Sequence, residues 1–498
     1  MPGSGLKSLA VVIILATAAS SASADVTLPA LFSDGMVIQR QRPVHAWGSA
    51  NPGETVIVTF RGESRTTVAD ATGRWDLHLP PGEAGGPFEL VVRGANAKIV
   101  HDVLVGDVWL ASGQSNMEWP TKLAADADAA LASADLPRVR LLRVKKSYAD
   151  HPLDDAAVVP WIACSRESVA DFSAVAYFFA REIHARQQVP IGVIDASWGG
   201  TIAESWTSLR ALAADPALMP VFAARAAMME RRADDLRQQE RERREQEAAR
   251  AAGRPVPDFQ WRPDPAVWAP AVLFNAMIAP LAPFPIRGVI WYQGESNSSA
   301  ERRHTYERLF QALIRDWRAR WSQDDLPFLF VQLASFTSTP AEDWAEIREA
   351  QRRALALRNT AMAVTIDIGN PDDVHPTNKR DVGLRLALAA RAAVYGEDIE
   401  YSGPLAREVT REGSSLRVWF DHATSGLESR GGALRSFEVA GADGSFIAAD
   451  ARIERSTLVV SAPGVDAPVH VRYGWSNSPE CRLYNREGLP ASPFTVSR

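Results

Sequence analysis

The sequence predicts an α/β fold, a parallel sheet with helices on both faces, flanked by all-β regions. Three observations predict it. Between Asp107 and Tyr395, short apolar runs alternate with longer segments of helical periodicity, the texture of repeated βα units. Before Gly106 and after about Asp398, the runs are short and separated by Gly, Pro and Asn turns, the texture of β-sandwiches. At 498 residues, the chain is long enough for one large domain with additions at either end.

Taken in order, residues 1–24 read as a secretory signal. Lys7 supplies the positive region, Leu9 to Ala19 the apolar region, and Ala22-Ser23-Ala24 a small-residue cleavage site. Cleavage is expected before Asp25, with an uncleaved anchor the alternative, and on the first reading the mature protein is periplasmic or secreted. The apolar run is too short for a comfortable membrane span, and no other span is expected. Residues 25–106 are read as an N-terminal β-sandwich, with strands such as Thr55–Phe60 and Phe88–Arg93 and turns at Asn51-Pro-Gly, Ala71-Thr-Gly and Pro80-Pro-Gly.

Residues 107–395 form the α/β region. Strands are expected at Val108–Ala111, Val139–Val144, Pro190–Asp195, Arg287–Tyr292, Pro327–Leu333 and Ala361–Ile366. Helices are expected at Phe172–Arg186, Glu301–Trp321, Trp344–Leu357 and Asn378–Tyr395. An insertion, about 208–268, interrupts the alternation. Its core, Met228 to Arg250, is dense in Arg, Glu and Gln and reads as an exposed helix laced with i,i+4 ion pairs. Trp261 and Trp268 follow it as residues that line a cleft or pack. Residues 396–498 return to β, with Ser415–Phe420 and Val469–Tyr473 alternating.

Composition narrows the function. A net charge of -6 argues against nucleic acid as the main partner, and arginines in the insertion alternate with acids. Fifteen tryptophans lean toward a carbohydrate ligand, because flat rings stack on sugars. The two cysteines, Cys164 and Cys481, either pair across the chain or stay as separate buried thiols.

The chemistry centres on Val108 to Pro120. Ser115 follows an apolar strand, in a small polar turn. On local pattern alone it is either a helix cap or a nucleophile. Each polar, Gly-rich cluster of the α/β region falls at the C-terminal end of an expected strand, so the clusters share one rim of the sheet. That favours the nucleophile. Serine needs a base, and of nine histidines only His375 follows a late strand beside carboxylates. Asp372, three residues before it, is the first choice to orient the ring, with Asp373 the alternative. The oxyanion of a tetrahedral intermediate needs donors. The backbone N–H of Ser115, an N–H from Gly199 or Gly200, and the side-chain amide of Gln293, with Asn297 the alternative, are the candidates.

Gly113-Gln-Ser-Asn-Met117, Trp198-Gly-Gly-Thr201, Trp291-Tyr-Gln-Gly-Glu-Ser-Asn297, Asp373-Val-His-Pro376, the block Pro270–Leu281 and Leu483–Pro490 occur here in one order. In this the chain resembles the sialate O-acetylesterase family of SGNH hydrolases. The resemblance implies a flavodoxin-like three-layer α/β/α core, a Ser–His–Asp or Ser–His site, no metal and no cofactor. It also implies a carboxylic-ester hydrolase acting on an O-acetylated sugar or oligosaccharide. Trp119, Trp198, Glu295 and Asn297, in the same blocks, are the candidate substrate contacts. Acetylated hemicellulose is slightly preferred to O-acetyl sialic acid because of the tryptophans. Binding an acidic sugar would require a cation, for which Arg302 and Arg303 are the candidates. A catalytically silent carbohydrate-binding protein is the alternative. Gln293 stands where many SGNH enzymes carry asparagine, and the charged insertion lies outside the shared pattern.

Overall fold

The computed structural model describes residues 25–259, 262 and 264–498. The expected signal and its cleavage site lie outside the described residues, as does Trp261. The fold is organised on one strand, Ala97–Gly113. Its first half pairs antiparallel with Gly85–Arg93, and its second half pairs parallel with Ile191–Ser197 and Gly288–Tyr292. The strand therefore runs unbroken from the N-terminal β region into the α/β sheet. Val108, Trp109, Leu110 and Ala111 are fully buried, as expected of a central strand covered on both faces.

Across the α/β sheet the strands lie in the order Thr360–Ala363, Phe328–Val331, Gly288–Tyr292, Ala97–Gly113, Ile191–Ser197, Leu136–Val144, Val158–Cys164. The pairs are parallel except the last, which is antiparallel. Set aside the 136–164 hairpin and the chain order reads 2-1-3-4-5, the flavodoxin-like order. The hairpin's second strand was not expected from sequence. It carries Pro160 and exposes Val159 and Ile162, features tolerated only at an edge.

Two tryptophans show the three layers. Trp109 packs edge-on against Phe179 of the helix Ala174–Gln187. Trp291 packs against Phe310 and Trp317 of the helix Arg303–Arg320. Register places Trp291 beside Ser112, three residues from Trp109 and so on the opposite face. The helix Ala174–Gln187 also packs against Lys379–Ala393, and Arg303–Arg320 against Trp344–Arg353. Strand ends and helix caps differ from the sequence reading by a few residues: Ser173 and Asn378, read as helical, are the N-caps of their helices.

The N-terminal region pairs Val44–Ser49 with Arg74–Leu79 in a sheet of their own. Thr55–Phe60 and Glu63–Val68 extend the sheet of the long strand. Its buried residues are continuous with those of the α/β sheet. The C-terminal β region has its own core around Val418, Leu458, Val439, Tyr473 and Phe494. The charged insertion is a helix, Pro220–Ala251, with only Val221 and Ala249 buried. Arg243 pairs with Glu240 and Glu247, and Arg244 with Glu240, as its spacing predicts. Cys164 and Cys481 are both free, and burial pushes each thiol up to about 12. Among the described residues no helix is long and apolar enough to cross a membrane.

The tryptophans have a simpler explanation than sugar binding. Trp75, Trp109, Trp161, Trp206, Trp291, Trp317, Trp321 and Trp344 are buried core, so their number says little about a ligand.

Candidate active site

The central strand ends at Gly113, whose φ of +136° belongs to glycine. A Cβ there would lie 2.1 Å from the Tyr292 carbonyl oxygen of the neighbouring strand. The tight approach lets the Gln114 N–H donate to that same oxygen at 2.9 Å. It fixes the four-residue helix Ser115–Glu118 just beyond the sheet. Gly113→Ala is expected to destabilise the protein on the order of 3 kcal/mol, measured as a lowered denaturant midpoint. An unchanged midpoint would mean that the turn relaxes freely.

Ser173 secures the turn from behind, its hydroxyl donating to the Met117 carbonyl at 2.6 Å while accepting the Ala176 N–H. Opposite, Asn378 caps the helix Lys379–Ala393, and the loop before it presents His375. The structure brings the two together: His375 Nε2 and Ser115 Oγ are 2.8 Å apart. Trp119 stacks on the imidazole, ring centroids 5.1 Å apart at 22°. Burial, then the Lys379 ammonium, pulls the His375 pKa below its ordinary value of 6.5, and Asp373 opposes them.

Of the two aspartates, the structure brings Asp373 to the ring. Its Oδ1 accepts the His375 backbone N–H at 2.8 Å and lies 3.7 Å from Nδ1. Asp372, the first choice from sequence, makes no ion pair with His375 among the described residues. Its own backbone N–H goes to Asn370 Oδ1, and it is exposed. The physical reason is an Asx turn. A side chain that accepts the N–H two residues on is folded under that residue, and the residue three before is turned outward.

The oxyanion candidates fare unequally. Gly199 abuts the nucleophile, a Cβ on it falling 3.2 Å from Ser115 Cβ, but its N–H donates to Glu118 Oε2 at 2.6 Å. Lys146 holds the other Glu118 oxygen at 2.5 Å. Gly200 forms the turn with φ +71°, and its carbonyl accepts the Trp268 indole N–H. Gln293 is not brought to the nucleophile. Its amide donates to the Thr201 carbonyl and to Asn297 Oδ1, and its oxygen accepts from Tyr306, so every polar atom is committed behind the sheet rim. Asn297 is likewise tied to Ala203 and Glu204, and Glu295 to Asn116. All three are buried and none lines the cleft, so the structure does not place them as substrate contacts.

The cleft itself holds about 740 Å³. Its lining includes Ser115, His375 and Trp119, the cations Lys122, Arg143, Lys145 and Lys146, and the carboxylates Glu118, Asp171 and Asp195. Lys122 pairs with Asp171, Arg143 reaches Asp195 at 3.9 Å, and Lys146 pairs with Glu118. Lys145 has no ion pair among the described residues. Trp198 sits behind Lys146, 5.7 Å from its ammonium. Arg302 and Arg303, the sequence candidates for a cation, are spent on Glu204 and Glu346. Sequence reasoning missed the cleft lysines, Glu118 and the buried Lys379, because lysine in a charged loop or at a helix start looks like solvated surface. Among the described residues, the group with metal-ligand spacing is His45, Asp76 and His78. It lies on the two-stranded sheet of Val44–Ser49 and Arg74–Leu79 and is not part of this cleft.

The model of the carbohydrate esterase family described as sialic acid-specific acetylesterase matches residues 105–227 and 259–393, leaving out most of the charged helix. The chain is 31% identical to the sialate O-acetylesterase of Mus musculus, over 97% of this chain and 96% of that one. It is 34% identical to the Homo sapiens sialate O-acetylesterase, over 76% and 73%. A crystal structure of a carbohydrate acetylesterase from Xanthomonas citri matches with a TM-score of 0.82 and 41% identity, over 95% of this chain and 99% of that one. With a serine and a histidine in contact at the sheet rim and agreement along nearly its whole length, this chain belongs to the SGNH-type carbohydrate esterases of the sialic acid-specific acetylesterase family and is a carbohydrate acetylesterase.

Proposed function

We propose that Ser115, His375 and Asp373 remove acetyl groups from an acidic O-acetylated sugar. The observation that carries the catalytic part is the 2.8 Å contact between His375 Nε2 and Ser115 Oγ. His375 takes the serine proton as Oγ attacks the acetyl carbonyl. The tetrahedral intermediate collapses, the sugar alcohol leaves with that proton, and the acetyl group stays on Ser115. Water, deprotonated by His375, then attacks the acyl-enzyme and releases acetate. The backbone N–H groups of Ser115 and Gly199 serve the oxyanion. The second becomes free when the ester oxygen displaces the Glu118 carboxylate, which Lys146 retains.

Asp373 steadies the imidazolium from the Nδ1 side. It is half exposed and 3.7 Å away, so water shares the task. Asp373→Asn is expected to lower kcat about tenfold to a hundredfold, well short of the loss seen when a fully buried triad aspartate is changed. Asp372→Asn is expected to leave kcat within about twofold. Steady-state rates on p-nitrophenyl acetate separate the two, and equal effects would remove Asp373 from the role.

One cation of the lining supports an acidic sugar over neutral hemicellulose, the other three being paired with Asp171, Asp195 and Glu118. The Lys145 ammonium, without an ion pair among the described residues, is available to a substrate carboxylate, and the relatives from Mus musculus and Homo sapiens bear the name sialate O-acetylesterase. Acetate release from O-acetyl sialic acid, acetylated xyloglucan and acetylated xylan oligosaccharides, compared side by side, tests this. The acidic substrate is expected to lead by at least about tenfold in kcat/KM, equivalent to one well-placed charge contact. Lys145→Ala is expected to erase that lead while sparing p-nitrophenyl acetate. Equal or greater rates on xyloglucan would return the reading to hemicellulose. We propose a periplasmic or secreted location on the character of residues 1–24. A mature N-terminus at Asp25 in the exported protein is the expected result.

A further inference from the structure

Beneath the nucleophile and the histidine lies a buried charged group that the mechanism above does not use. Lys379 is the first residue of the helix Lys379–Ala393 and only 1% exposed. Both features are unfavourable. A helix start carries partial positive charge and prefers acids, and a buried ammonium must be compensated. Residues that break local rules without stabilising their own element mark functional places.

The compensation runs through the active site. The Lys379 ammonium donates to Asn116 Oδ1. The Asn116 amide donates to Glu295 Oε1 at 2.6 Å and to the Val374 carbonyl at 2.9 Å. Asn116 follows the nucleophile and Val374 precedes the histidine, so one side chain, its amide oriented by one ammonium, joins the two catalytic loops. The same ammonium lies over Trp119 at 5.6 Å and over Tyr292 at 5.7 Å, and Trp119 is the ring stacked on His375.

We propose that Lys379 is the positioning residue of the catalytic pair, clamping Asn116 so that the nucleophile turn and the histidine loop keep contact and holding Trp119 against the imidazole. With a neutral side chain at 379, Asn116 Oδ1 loses the donor that anchors that end of its amide. The amide is then held through Nδ2 alone, and the link to the Val374 carbonyl weakens. Displacements of about 1 Å at reacting atoms cost about a hundredfold.

The ammonium also acts on the charge of the base. Burial brings the Lys379 pKa down to about 7, so it is cationic throughout the acid range in which His375, held below 6.5, titrates. A positive neighbour disfavours imidazolium, and its removal raises the histidine pKa. Other ionisable groups face the same space. Asp373 lies on the histidine loop, Glu118 with Lys146 beside the nucleophile, Lys122 with Asp171, and Arg143 near Asp195. Asp195, raised to about 7 by burial, is present alike in every variant below.

The test uses the full chain, with p-nitrophenyl acetate as the probe and kcat, KM and the pH profile of kcat/KM as readouts. Lys379→Met is expected to lower kcat about tenfold to a hundredfold, to leave KM within about threefold, and to move the acid limb to higher pH. Because that variant strands the Glu295 carboxylate, the decisive protein is the double variant Lys379→Met with Glu295→Gln. It removes charge and counter-charge together and is expected to fold, since exchanging a buried pair for neutral residues is commonly near neutral. It should keep both the low kcat and the displaced limb. Lys379→Arg keeps the charge and is expected to leave the limb in place. If the double variant recovers parental kcat and an unmoved limb, Lys379 merely balances Glu295 and the proposal is overturned. It is overturned equally if Lys379→Met alone changes neither readout. The inference rests on the Ser115–His375 reading. Failure of that reading would show separately, as activity retained by Ser115→Ala.

Discussion

Ser115→Ala is expected to lose at least about 10⁴-fold in kcat on O-acetyl sugars and on p-nitrophenyl acetate, while binding of a non-hydrolysable sugar stays within a few fold. The size of the loss follows from what the hydroxyl does. It supplies the bond that splits one difficult hydrolysis into two easier steps. Without it, only the residual stabilisation from backbone donors and binding remains, and such remnants keep about 10³–10⁴ over water in serine hydrolases. The variant should fold as the parent does. Ser115 Oγ makes its contact with His375, whereas the turn is held by backbone and neighbours: Gln114 N–H on Tyr292, Met117 on Ser173, Asn116 on Val374. Burst kinetics give a second check. The parent should show acyl-enzyme accumulation and label at Ser115 with an organophosphonate, and the variant neither. Activity within tenfold of the parent would transfer the nucleophile elsewhere.

What the sequence showed of this site depended on how local each decision is. Ser115 and His375 were legible because each follows a strand of a parallel sheet, and parallel strands deliver their C-terminal loops to one edge whatever their order. The flavodoxin-like order came only through the resemblance, and the full width of the sheet was not legible. The 136–164 hairpin joins the far edge, and its outer strand is disguised by Pro160. The choice between Asp372 and Asp373 turned on one backbone hydrogen bond, which residue spacing does not encode. Gln293 was the right residue type at the right strand end, yet Thr201, Asn297 and Tyr306 consume its amide. These partners sit 92, 4 and 13 residues away, and only the folded chain assembles them. The tryptophan count misled for a related reason. Composition does not separate a ring on the surface from one in the core, and here Trp291 with its neighbours Trp206 and Trp317 is core.

His375→Ala is expected to cost kcat about as much as Ser115→Ala, and the double variant is expected to cost no more than either. Residues that act as one unit are not additive: a serine without its base and a base without its serine leave the same unassisted site. Its pH behaviour distinguishes a lost base from a damaged fold. In the parent, kcat/KM requires neutral imidazole. Burial and the Lys379 ammonium keep the pKa of His375 below 6.5, so activity persists into mildly acidic solution and is lost as pH falls through that lower value. The sign follows from which form is disfavoured. Both dominant influences oppose the cation, so the group stays a base further down the scale, and the opposing pull of Asp373 only partly restores it. In His375→Ala the acid limb should vanish. The residual rate should rise with hydroxide concentration instead, because solvent must now take the serine proton. A limb that survived intact would assign the titration to a group other than His375, Asp195 and Lys379 both being brought near neutrality, and would remove His375 from the role of base even if the kcat loss were large.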